Sequence, residues 1–270
     1  MRSHALLEDL EMNNAILHYP KVKYINTLSK TDLQNLFAGN ILALRYPYFC
    51  TAEEAEATTN SIRSHPVLGR YGDARGFGRL GPGIYELLLG TEYWQEYLDT
   101  KDAVIDALKI LITKLQSELA QAWGKCEAPI FRGHAMRPMM ARILEPNGHS
   151  ALPHDDFQKR YASDFPWAAS LQGKVGANIH ITPPEKGGEL LMWDLSLSTC
   201  DYERMRLNGS YGINPALLPE HDVEIMPTKA ELILINTRKL HAICPVKSGI
   251  RVTTSCFIGY TDDNSLLQWS

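Results

Sequence analysis

The 270-residue sequence predicts a mainly β fold with helical support, a jelly roll buttressed by N-terminal helices. Three observations predict it. Apolar residues in the first half recur at helical spacing; from about Phe131 the pattern changes to short β-branched segments punctuated by Pro and Gly; and no strand-helix-strand rhythm of a parallel sheet joins the two halves.

In chain order, Thr51-Ala-Glu-Glu54 has the form of a capping box and predicts a helix to about Ser64. A longer helix follows, capped at Asp99 or Thr100, with Val104, Leu108, Leu111, Ile112, Leu115 and Leu119 on one face and Gly124 as its stop. That stripe is core, packed against a sheet. Strands are predicted at Met139 to Leu144, Val175 to Thr182, Glu189 to Trp193, Val223 to Met226, Glu231 to Asn236 and Gly249 to Tyr260. No repeat or low-complexity linker is visible. The chain therefore reads as one domain over 1–270, with 1–130 mostly helical support and lid and 131–260 the jelly-roll core.

Bulk composition removes several classes of function. The chain is 44% hydrophobic and 21% charged, with a net charge of −4, and its Lys and Arg are scattered, so the footprint of a nucleic-acid binder is missing. Apolar runs such as 230–236, interrupted by Glu231, are too short to cross a bilayer, and acidic Glu8, Asp9 and Glu11 stand where a signal peptide would be apolar. A cytoplasmic protein is the expectation. Five cysteines without a CxxC pair indicate buried reduced thiols. The oligomeric state is open, a homodimer included.

The chemistry-bearing segment is Pro153-His154-Asp155-Asp156-Phe157, where an imidazole and a carboxylate stand two residues apart. On an extended strand both point to one face, so His154 and Asp156 can grip one metal ion while Asp155 faces away. A second imidazole, His241, follows a strand; a lone histidine there is more often structural than a ligand, but Arg251 lies ten residues on. Alternation places Arg251, Thr253, Ser255 and Phe257 on one strand face and Val252, Thr254, Cys256 and Ile258 on the other. An inward arginine is costly unless it meets an anion, so Arg251 and Thr253 read as a clamp for a small dicarboxylate. Two histidines and one carboxylate leave open positions, an arrangement suited to non-haem Fe(II).

His154-x-Asp156, His241 and Arg251 together resemble the iron(II)- and 2-oxoglutarate-dependent oxygenases, whose double-stranded β-helix would cover roughly 130–260. Pro184-Glu-Lys-Gly-Gly-Glu-Leu190, Ile235-Asn236 and Gln268-Trp269-Ser270 are similar to the group containing the N-acyl amino acid hydroxylases and the freestanding aliphatic halogenases. In the halogenases of that group Gly or Ala replaces the metal-binding carboxylate. Asp156 fills the place here, so the resemblance implies hydroxylation.

It further implies that Fe(II) is held by His154, Asp156 and His241. It implies that 2-oxoglutarate chelates the iron, that Arg251 and Thr253 bind its distal carboxylate, and that O2 oxidises a C–H bond while 2-oxoglutarate is decarboxylated to succinate. Asn178, His180 and Thr182, on one strand face, either line the cavity, donate to 2-oxoglutarate or satisfy core polar groups.

For the substrate, a small molecule carrying a carboxylate, the Gly-rich stretch 69–82 reads as a loop closing over an anionic ligand. The resemblance carries a substrate-binding arginine onto Arg79, with Arg75 second. Arg142 faces inward or outward according to a register the sequence leaves open, and Trp193 and Trp269 pack over substrate or in the core. Neither His134 nor His149 has a spacing that makes it a ligand. Expected outcomes are hydroxylation of a small amino acid, an N-substituted amino acid or a related specialised metabolite; desaturation, cyclisation or demethylation of a nucleoside, alkaloid or peptide-linked substrate with the same cofactor; or, from another class, a non-catalytic jelly-roll binding protein.

Overall fold

The computed structural model describes residues 19–71, 76–148, 150–156 and 165–270. Its helices are α1 (Lys30–Ala38), α2 (Ala52–Arg63), α3 (Thr91–Trp123) and α4 (Thr199–Met205). The strands of the first half are β1 (Val22–Tyr24), β2 (Ala43–Tyr46), β3 (Leu68–Arg70), β4 (Phe77–Leu80), β5 (Cys126–Glu127), β6 (Ile130–Phe131) and β7 (His134–Ala135). Those of the second are β8 (Met140–Leu144), β9 (Leu171–Thr182), β10 (Lys186–Gly187), β11 (Leu190–Met192), β12 (Val223–Ile225), β13 (Glu231–Asn236), β14 (His241–Ile243), β15 (Val246–Ser248), β16 (Arg251–Thr261) and β17 (Leu266–Trp269).

A ten-stranded sheet runs β1-β2-β13-β9-β16-β8-β4-β3, with β17 beside β16 and β5 beside β17. A smaller sheet, β12-β11-β14, faces it. Leu190, Met192, Val223 and Ile225 of the small sheet pack on Ile233 and Ile235 of the large one, which closes the two layers of a jelly roll. On the other side of the large sheet, Val175, Ala177, Ile179 and Ile181 of β9 and Leu232 and Leu234 of β13 meet Leu33 and Leu36 of α1, Ala55 and Ile62 of α2 and the Leu108-Leu111-Leu115-Leu119 stripe of α3. Central strands therefore bury both faces, one under helices and one around the cavity described below.

The capping box at Thr51 is present, with Glu54 reaching back to the Thr51 backbone. Gly124 ends α3 as expected, but the helix begins at Thr91 behind Gly90. Asp99 and Thr100 are interior residues: the Thr100 hydroxyl donates to the Glu96 carbonyl and Asp99 accepts from Gln95. Both satisfy groups within the helix rather than opening it.

Residues 1–130 contribute more than helices, since β1 to β4 all belong to the large sheet. Among the described residues no helix is long and apolar enough to cross a membrane. Of the cysteines, all free, Cys50 and Cys256 are buried as expected, Cys126 and Cys244 are half-buried and Cys200 is exposed.

Candidate functional site

Asp156 and the two histidines are brought together by backbone pairing. His154 and His241 form an isolated antiparallel bridge, with His154 N–H donating to the His241 carbonyl at 3.0 Å and the reverse bond at 2.9 Å. The Asp156 N–H donates to the Thr237 carbonyl at 2.7 Å, which ties the acid to the end of β13. That end is pinned by buried Asn236: its amide donates to the Leu36 carbonyl and its oxygen accepts from the Arg238 N–H.

One ligand atom from each of His154, Asp156 and His241 lies within 4.8 Å of the others. The His241 Nε2 stands 3.6 Å from Asp156 Oδ2, and the two imidazole centroids are 4.3 Å apart. Each ring is oriented through Nδ1, which donates to the Leu152 carbonyl in His154 and to the Lys239 carbonyl in His241, leaving the Nε2 lone pairs for a metal. Burial and neighbouring His154 push the His241 imidazole down to about 4, so it is neutral at physiological pH, as ligation requires. Burial raises the Asp156 carboxyl, but Lys174, the two histidines and Arg142 outweigh it and hold the group below its ordinary range.

The bridge ends with His154, so strict alternation does not extend to Asp155. That carboxylate, expected to face away, is buried and borders the cavity.

The cluster opens on a cavity of about 620 Å³ between the sheets, in the size range that holds small ligands. Asn178, His180, Ile233, Ile235, Arg251, Thr253 and Ser255 line its sheet end, while Tyr71, Phe77, Ile84, Tyr85, Glu86, Leu89, Met140, Arg142 and Tyr211 line the rest. Most of the alternation expected for β16 is present: Val252 and Ile258 are in the helix-side core and Arg251, Thr253, Ser255 and Phe257 border the cavity, while Cys256, expected on the helix side, touches both.

Arg251 is 5% exposed, and its Nε has no hydrogen-bond partner among the described residues. Burial and nearby Arg142 push its guanidinium down to about 10, still charged at neutral pH. The Gly187-Gly188 pair makes room for it. Both have φ of 76°, and a Cβ on Gly188 would stand 2.7 Å from Pro184 Cγ and 3.4 Å from Arg251 Cδ. This is the physical content of the Pro184–Leu190 motif.

Thr182 departs from the face expected for it. The β9–β16 register shifts between Val252 and Thr253, whose partners are Thr182 and His180. The unpaired Ile181 is a bulge that turns Thr182 toward α2, where its hydroxyl meets that of Thr59 at 2.8 Å. Asn178 and His180 stay on the cavity side, and the His180 Nδ1 is buried without a partner among the described residues. Burial, with Arg251 and Arg45 nearby, holds that imidazole well below its ordinary value and hence neutral.

The arginines divide sharply. Arg142 lines the cavity; its Nε donates to the Tyr71 hydroxyl at 3.2 Å, and no carboxylate pairs with it among the described residues. Arg79 is absent from the cavity wall. Its Nε donates to Glu86 at 2.9 Å and its two terminal nitrogens to Glu96 at 2.6 and 2.9 Å, so its fork is already filled. Arg75 and His149 lie outside the described residues. Trp269 is 3% exposed and packs on Phe257 and Trp167 in an aromatic core, away from the cavity wall, because pairing with β16 seats it opposite Phe257. Trp193 is likewise buried, its indole donating to the Pro219 carbonyl, and His134 stacks edge-on against Trp94.

Sequence reasoning passed over Glu86, Tyr85, Met140 and Tyr211, all on the wall. Glu86 carried one signal, its place just after the Gly-rich stretch.

Fold and site define the class: a jelly roll with a two-histidine, one-carboxylate cluster inside it. No family model matches the chain. It is 24% identical over 260 residues to the curated L-γ-glutamyl-L-propargylglycine hydroxylase of Streptantibioticus cattleyicolor, covering 90% of this chain and 93% of that one. An N-substituted L-amino acid dioxygenase from Burkholderia ambifaria AMMD matches at TM-score 0.62 and 18% identity, over 89% of this chain and 91% of that one. HygX from Streptomyces hygroscopicus, solved with nickel and 2-oxoglutarate bound, matches at TM-score 0.51 and 12% identity, over 88% and 95%. The jelly-roll fold expected from the sequence is thus the fold these structures share.

Proposed function

We propose that this chain is an Fe(II)- and 2-oxoglutarate-dependent oxygenase that hydroxylates an unactivated C–H bond of an amino-acid-derived small molecule carrying a carboxylate. The observation that carries the reading is the convergence of His154, Asp156 and His241 on a cavity that also holds buried Arg251, whose Nε has no partner among the described residues. The neutral His241 imidazole and the ionised Asp156 carboxylate match a ferrous ion, and a buried guanidinium whose Nε has no partner among the described residues calls for an anion of the co-substrate's kind. When bound, iron and 2-oxoglutarate supply the oxidant: the C–H substrate, 2-oxoglutarate and O2 give the alcohol, succinate and CO2.

The protein's own work is placement. Arg251 and Thr253 hold the distal carboxylate of 2-oxoglutarate, with Asn178 beside them across β9. Arg142, oriented by Tyr71, receives the substrate carboxylate. Ile233, Ile235 and Ile243 exclude water from the reacting face. The similar S. cattleyicolor protein, named as a hydroxylase of a γ-glutamyl amino acid, and the N-substituted amino acid dioxygenase support an amino-acid scaffold for the substrate.

The test is spectroscopic. Anaerobic addition of Fe(II) and 2-oxoglutarate produces a weak visible charge-transfer band in the wild type, and Asp156→Ala, which removes a ligand rather than a ligand's partner, weakens the band and lowers succinate formation by at least the roughly 10- to 100-fold that loss of a ligand's partner costs. Wild type and variant alike without a band would end the proposal. Product mass then separates hydroxylation, which adds oxygen, from desaturation, which removes two hydrogens.

A further inference from the structure

The wall segment 83–86 carries charge of the sign opposite to the one the resemblance leads one to expect. Arg137 and Arg142 act on Glu86 without forming an ion pair with it among the described residues, and in the nearer network Arg79 faces two carboxylates, Glu86 and Glu96. Of these last three residues only Glu86 borders the cavity. It is 6% exposed, and each of its oxygens accepts one hydrogen bond, from Arg79 Nε at 2.9 Å and from the Gly83 N–H at 2.7 Å. A carboxylate oxygen has room for a second donor.

Gly83 keeps the approach open, since a Cβ there would stand 3.0 Å from the Tyr71 hydroxyl and 3.7 Å from Glu86 Oε2. Beyond Tyr71 lies Arg142, close enough for Glu86 to act on its charge yet forming no ion pair with it. The cavity thus presents a separated acid and base on neighbouring wall segments, in addition to Arg251 at its sheet end.

We propose that the substrate bears a protonated amine as well as a carboxylate, the amine received by Glu86 at the Gly83–Glu86 turn and the carboxylate by Arg142, so that free amino acids or amine-bearing peptides are taken in preference to their N-acylated forms. The inference rests on the oxygenase reading above and names its substrate class. Acylation removes the charge that Glu86 would meet, and a succinyl group would bring a second carboxylate against Glu86 itself. Burial raises the Glu86 carboxyl above its ordinary value, a cost that an ammonium opposite it would relieve.

The experiment uses the iron-loaded protein with 2-oxoglutarate and matched probes: L-leucine and γ-glutamyl-L-leucine, each against its N-acetyl form, with N-succinyl-L-leucine added. Succinate release gives kcat/KM, and perturbation of the anaerobic iron–2-oxoglutarate band gives binding without turnover. The amine-bearing member of at least one pair is expected to be favoured by roughly 10- to 100-fold, the range of a hydrogen bond to a charged group. Glu86→Gln is expected to abolish that preference, while Glu96→Gln, which removes a charge from the same network off the cavity wall, retains it. Thermal melting of each variant checks folding, and the wild-type comparison stands even where Glu86→Gln does not fold. Equal or better use of the N-acyl probes, a band that no amine-bearing probe perturbs, or a folded Glu86→Gln with its preference intact would overturn the proposal. Absence of the band itself would instead sink the oxygenase reading.

Discussion

The two ends of the cavity are built by different means. At the sheet end Asn178, His180, Arg251 and Thr253 stand on β9 and β16, long strands paired to each other and to further strands on their other sides. At the mouth Tyr71, Glu86, Leu89 and Tyr211 stand on connections and a single 3-10 turn, with Leu89 72% and Tyr211 54% exposed. A complete hydrogen-bond ladder holds a side chain's root in place, whereas connectors shift at low cost. The same cavity is therefore stiff where a shared co-substrate would bind and at Arg142, which stands on β8 paired on both sides, and adaptable at the connectors that would meet the rest of a particular substrate.

Variants that separate the regions sharpen this contrast. Arg251→Ala, which removes a buried charge partner worth about 2–5 kcal/mol, is expected to raise the KM for 2-oxoglutarate by roughly 30-fold or more, measured by succinate release. Leu111→Ala, on the helix side of the same sheet, is expected to cost about 2–5 kcal/mol in urea unfolding and leave that KM unchanged; a large KM change would show that the helix layer sets the geometry of the sheet end. Asn178→Ala is expected to raise the KM about fivefold, the value of one ordinary hydrogen bond. Thr182→Val, two residues beyond His180, should lose about 1 kcal/mol of stability through its bond to Thr59 with no kinetic effect. A kinetic effect there would mean that the bulge at Ile181 does not turn Thr182 away.

What was legible in the sequence follows the same division. His154 and Asp156 share an i, i+2 spacing, and Arg251 sits in a strand whose alternation is unbroken on its own chain, so local pattern sufficed. The pairing of His154 with His241 at the edge of the small sheet is long-range, and in the sequence the two were joined only through Arg251 and the resemblance. Thr182 satisfies a core polar group, one of the outcomes left open, but leaves the face shared with Asn178 and His180 because a bulge belongs to two strands at once. Arg79 failed because its partners, Glu86 and Glu96, lie on a 3-10 turn and a helix that periodicity does not place beside β4. Trp269 is committed to the core by pairing with Phe257, a tertiary fact. The short strands β1 to β4, three or four residues each, carry too few positions for a period of two to show.

The reciprocal amide bonds between His154 and His241 have a practical corollary. Because the scaffold itself locks the two imidazole-bearing segments together, stripping the ion with a chelator should leave the near-ultraviolet dichroism of the protein intact, even though the melting temperature falls by the lost binding energy. Reconstitution with cobalt(II) or nickel(II) should then proceed without refolding, giving spectroscopically readable, catalytically silent forms in which ligand affinities can be titrated in air.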